Sequence, residues 1–63
     1  MAMFVVQIDT DNDAFLPRWN DEVARILRYA ADRVEYNTYG PLLDANGNTV
    51  GAYGFQAPEG GLP

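Results

Sequence analysis

Residues 40–55 read GPLLDANGNTVGAYGF, and how this stretch folds back on itself decides the architecture. Asn46-Gly47 stands between two strand-like runs. Both residue types tolerate the positive φ that tight hairpin loops require, so this pairing predicts a β-hairpin. Two registers fit. A two-residue loop pairs Leu43 with Val50, whereas a three-residue loop with a left-handed Gly47 pairs Leu42 with Val50.

Working outward, the segment before the hairpin is helical. Val23, Ile26, Leu27, Ala30, Ala31 and Val34 recur at the spacing of one helical face, and Leu16 and Trp19 extend it backwards. Asn20 is the expected N-cap, with Asp21 and Glu22 in the first turn against the positive end of the helix dipole. Were the helix to begin earlier, Asp13 would cap it and Pro17 would fall in its first turn. Further upstream, Phe4, Val6 and Ile8 alternate with Met3, Val5 and Gln7, the pattern of a strand with two fairly apolar faces.

Strand, helix and hairpin in that order predict an α+β fold, β-α-β-β, with one helix packed on one face of a three-stranded sheet. Residues 1–55 are expected to form this single domain and residues 56–63 a loose tail. Phe4, Val6, Ile8, Trp19, Val23, Ile26, Leu27, Ala30, Val34 and parts of the hairpin form the expected core. One helix covers only one face, which leaves some of Met3, Val5, Leu43, Tyr53 and Phe55 as an expected apolar patch.

Composition removes most chemistry. The chain has 63 residues and no Cys or His, and the sequence also lacks Ser and Lys. Disulfides, thiolate or imidazole metal sites and the usual activated nucleophiles are therefore absent. Small size argues against a substrate pocket, so a non-enzymatic protein without cofactor is expected. The start of the chain lacks a secretory pattern, and no run matches a membrane span, which predicts a cytoplasmic protein. A net charge of −5 repels nucleic acid and anionic lipid and favours encounter with a basic partner.

QIDTDNDAF, residues 7–15, concentrates that charge at Asp9, Asp11 and Asp13. The three imitate positions 1, 3 and 5 of a calcium loop. Ala14 then stands where Gly is needed and Asn20 where the bidentate Glu is needed, so no metal site is expected. Helix capping explains one aspartate. In an extended strand the three would project from one side about 6.6 Å apart, close to two base steps of a nucleic-acid strand. Asp21 and Glu22 extend this acidic surface if the helix start lies beside it. Tyr36, Tyr39 and Tyr53 are candidate interface aromatics, since tyrosine combines a large rigid surface with a polar tip.

The pattern Phe4-x-Val6-x-Ile8-Asp9-x-Asp11-Asn12-x-Ala14-Phe15, then Glu22-Val23-Ala24-Arg25-Ile26-Leu27, then Leu43-x-Ala45-Asn46-Gly47-Asn48-x-Val50-Gly51, resembles short proteins encoded on phages, plasmids and integrated elements of bacteria. The likeness spans residues 4–51, and its motifs are mainly structural. Small acidic proteins of such elements include anti-CRISPR inhibitors, some of which imitate DNA. The resemblance implies an inhibitor that binds a basic nucleic-acid-binding surface of a defence complex, such as type I Cascade, in the bacterial cytoplasm. The alternative expectation is a small homodimeric regulator or accessory protein of a mobile element that uses the uncovered sheet face.

Overall fold

A computed structural model describes residues 3–56. The elements are β1 (Met3–Ile8), a short 3-10 turn (Asp13–Phe15), α1 (Trp19–Val34), β2 (Gly40–Leu43) and β3 (Thr49–Gln56). The expected β-α-β-β order is present, with one helix and one three-stranded antiparallel sheet. Strand order is β1-β3-β2, so the last strand is central and the first is an edge. β3 runs through Gln56, one residue beyond the expected domain limit; the rest of the expected tail, 57–63, lies outside the described residues.

The hairpin adopts the three-residue loop. Gly47 has φ +85°, its N–H donates to the Asp44 carbonyl at 3.0 Å, and the Asp44 N–H donates to the Asn48 carbonyl at 2.8 Å. Leu43 accordingly faces Thr49. A bulge then shifts the register by one, and Leu42 meets Gly51 instead of Val50. The extra residue lets Leu42 and Val50 both turn inward. Just past the bulge the backbone crowds β1: a Cβ on Gly51 would collide with the Gln7 carbonyl oxygen, so only glycine fits there.

α1 packs over β2 and the 3-10 turn, not over the centre of the sheet. Phe15, Ile26, Ala30, Leu42, Val50 and Tyr53 form the core, with Ile8, Ala14 and Val23 packed against it. This offset corrects the expected core. Trp19 is 60% exposed, and Leu27 and Val34 lie toward the outer side of α1. Phe4 and Val6 share the helix-facing side of the sheet with Tyr53, yet they lie beyond the helix and are 41% and 37% exposed. Tyr53 belongs to the core at 4% exposure, which removes it from the expected apolar patch and from the interface aromatics.

The start of α1 also differs from expectation. Asn20 is its second residue, Arg18 occupies the capping position without a side-chain cap bond, and residues 13–15 form their own turn. Pro17 therefore stands between the two, after a cis Leu16–Pro17 peptide. Leu42→Ala is expected to lose about 2–5 kcal/mol of stability, because a fully buried side chain leaves a cavity. Trp19→Ala should lose less than about 1 kcal/mol. Urea unfolding followed by circular dichroism measures both, and equal losses would contradict the offset of the helix.

Candidate functional site

The loop between β1 and α1 carries the acidic row, and its conformation is built by side chains. The Asp9 N–H donates to the Val50 carbonyl at 2.7 Å and closes the β1–β3 ladder. Asp9 Oδ1 then accepts from the Asp11 N–H at 3.0 Å, which turns the chain away from the sheet. Asn12, not Asp13, caps the 3-10 turn: its Oδ1 accepts from the Ala14 N–H at 2.8 Å. Phe15 follows and plugs the core at 1% exposure.

The three aspartates are thus not in an extended strand, and the regular spacing expected of one does not apply. All three side chains are nevertheless solvent-facing, and none belongs to either ion pair found among the described residues. Asp21 is also exposed but is held by the Arg18 Nε at 2.7 Å, so its charge is locally matched. Asp9, Asp11, Asn12, Thr49 and Val50 line a small cleft of about 190 Å³ at this end of the sheet.

Glu22 has a different role from the one expected. It is 9% exposed and receives Arg25 in a fork, Nε to Oε1 at 2.9 Å and Nη2 to Oε2 at 2.8 Å. The Ala45 N–H of the hairpin loop donates to the same Oε2 at 2.8 Å, and Arg25 Nη2 reaches the Leu43 carbonyl at 3.1 Å. Glu22 therefore ties α1 to the hairpin and is withdrawn from any docking surface. Its position was legible in the helix phase: it lies four residues before Ile26 and eight before Ala30, on the buried stripe.

Asp44, absent from the expected site, is the second inward carboxylate at 4% exposure. Oδ1 accepts from the Asn46 and Asn48 N–H groups at 2.8 and 2.9 Å. Oδ2 accepts from the Asn12 Nδ2 at 2.7 Å and the Asn48 Nδ2 at 3.4 Å. One side chain thus shapes the hairpin loop and fastens the acidic loop to it. Among the described residues no group of three or more acidic side chains is placed to hold a metal.

Tyr36 and Tyr39 are exposed at 77% and 76%, whereas Tyr53 is buried. Tyr39 lines an open groove of about 770 Å³ with Tyr29, Arg33, Tyr53 and Phe55, between the end of α1 and the β2–β3 pair. The Arg33 guanidinium sits 5.9 Å from the Tyr29 ring centre. The expectation that so short a chain leaves little room for a pocket does not hold. Among the described residues no carboxylate lines this groove. Among the described residues no helix is long and apolar enough to cross a membrane. Compared with protein-family models, curated proteins and solved structures, the chain matches none.

The inward carboxylates set a pH dependence. The Arg25 hydrogen bonds hold the Glu22 carboxyl below its usual range, against the opposing effect of burial. Burial pushes the Asp44 carboxyl up, but the Asn48, Asn12 and Asn46 donors outweigh it, and the net direction is down. Folded-state values below the unfolded ones mean that both contributions are complete above the ordinary carboxylate range, about pH 4, and fade as pH falls through the depressed values. The urea midpoint should hold from neutral pH to about 5.5 and fall below about 4.5. Glu22→Gln or Asp44→Asn should lower the midpoint at neutral pH and flatten the acid decline. An unchanged acid limb in both variants would refute this assignment.

Proposed function

We propose that the chain is a non-enzymatic inhibitor whose acidic loop docks on a basic nucleic-acid-binding surface. The observation that carries this reading is the exposure of Asp9, Asp11 and Asp13 without a cationic partner among the described residues, on a loop anchored from beneath by Asn12 and Phe15. An anchored loop loses little freedom on binding, and charge-assisted contacts from arginine add direction to attraction. Asp21 lies at the start of α1 and joins the surface when a partner's cation replaces Arg18. Glu22 does not take part.

Following the resemblance of its sequence pattern to proteins of bacterial mobile elements, we take a defence complex as the target class, with type I Cascade the first to test. Purified Cascade should bind the protein at low salt and release it along a salt gradient, because exposed charges are screened beyond about 8 Å at physiological ionic strength. Its DNA target should compete. Asp9→Asn, Asp11→Asn and Asp13→Asn together should weaken binding at least about 100-fold, at roughly 1.4 kcal/mol per factor of ten. The circular dichroism spectrum should stay unchanged. Undiminished binding by the triple variant would refute docking through this loop.

A further inference from the structure

β1 is an edge strand of six residues, MFVVQI, without a charge, a proline or a bulge. Edges of soluble proteins are usually blunted by one of these devices, because an open row of N–H and C=O groups recruits another strand. The opposite edge is blunted: β2 has four residues and includes Pro41, which has no N–H to donate. The two edges of one sheet are thus treated differently, and among the described residues β1 alone is left open for pairing.

Backbone alternation says which groups face outward. Asp9 bonds to Val50, the next pair after Ile8–Gly51, so the ladder to β3 uses Asp9, Gln7, Val5 and Met3. Phe4, Val6 and Ile8 then point their N–H and C=O groups at the free edge. Their side chains lie on the helix-facing side, where α1 fails to cover Phe4 and Val6. We infer that a second copy occupies this edge, β1 pairing antiparallel with β1 about a two-fold axis at Val6 to make a six-stranded sheet. In that register Phe4 of each copy meets Ile8 of the other and Val6 meets Val6, so the same outward groups are satisfied on both sides.

Charge selects the arrangement. The paired segments are neutral, although each chain carries a net charge of −5. Antiparallel pairing sets the two Asp9 positions at opposite ends, roughly 20 Å apart for six steps of strand rise. That exceeds the screening length of about 8 Å, so the acidic loops scarcely repel; a parallel pair would set them side by side. Two six-residue edges bury well below the roughly 1,600 Å² of a standard stable interface, which makes the dimer weak and concentration-dependent. Pro41 at the outer edges stops the sheet at two copies.

Sedimentation equilibrium from about 10 μM to about 1 mM should show the mass rising from 7.0 kDa toward twice that value. Over the same range the Phe4, Val6 and Ile8 amides should exchange at least about tenfold more slowly, while Val5 and Gln7 are protected throughout. Val6→Pro removes a donor that the ladder to β3 does not use, so it should keep the fold and stay monomeric. The Asp9, Asp11, Asp13→Asn variant should dimerise like the parent, which separates this inference from the docking reading. A constant 7.0 kDa mass in the parent protein would overturn the proposal. So would a dimer whose edge amides gain no protection, and this wild-type readout decides even if the proline variant unfolds.

Discussion

Two buried carboxylates hold this small fold together. Asp44 fastens the hairpin loop to the β1–α1 loop through Asn12, and Glu22 fastens α1 to the same hairpin through Ala45 and Arg25. A chain with no cysteine, and with six buried apolar residues among those described, has little else to fix three segments relative to one another. Burying a carboxylate is unfavourable unless its oxygens are matched, and here each oxygen accepts at least one hydrogen bond. No buried side-chain polar atom among the described residues lacks a partner. Removing either carboxylate strands backbone donors of the hairpin as well, so the two act as one clamp on the loop.

The clamp also explains the offset of the helix. By drawing the start of α1 to the hairpin, it places Ile26 and Ala30 over Leu42 and leaves the β1 side of the sheet uncovered by the helix. Phe4 then packs on Phe55 at 5.3 Å between ring centres, edge to face, while both rings remain partly open to water. Two acidic residues spent on holding the fold leave Asp9, Asp11 and Asp13 as the concentrated exposed charge at the other face of the same loop. The interaction that orients the acidic loop and the one that bares β1 are therefore one device.

The element order was legible because it rests on local chemistry: alternation in MFVVQI, helical spacing from Val23 onward, and Asn46-Gly47. The αL loop at Gly47 was one of two registers the sequence allowed. The bulge after it was not legible, because the shift at Leu42 depends on packing Val50 and on the close approach of Gly51 to β1. Core membership failed where it depended on where the helix lies: periodicity gives a face but not a lateral position, so Trp19, Phe4 and Val6 were placed inside. Glu22 fits an exposed first-turn acid matched to the helix dipole, whereas its phase with Ile26 and Ala30 points inward. Asp44 lies in the hairpin stretch, and its reach to Asn12 is a contact across 32 residues that no local pattern carries.

Were both proposals to hold, edge pairing and acidic docking would reinforce each other through mass action. A target that engages acidic loops on two copies stabilises the dimer, and dimerisation raises the local concentration of the second loop at the target. A weak self-association would then suffice, because the proposed partner would supply the remaining free energy only where two basic patches lie at the spacing of the two loops. Specificity would rest on that spacing as much as on charge. In the proposed dimer, the opposed placement of the loops along antiparallel β1 strands would let a neutral edge join two strongly acidic chains without bringing like charges together.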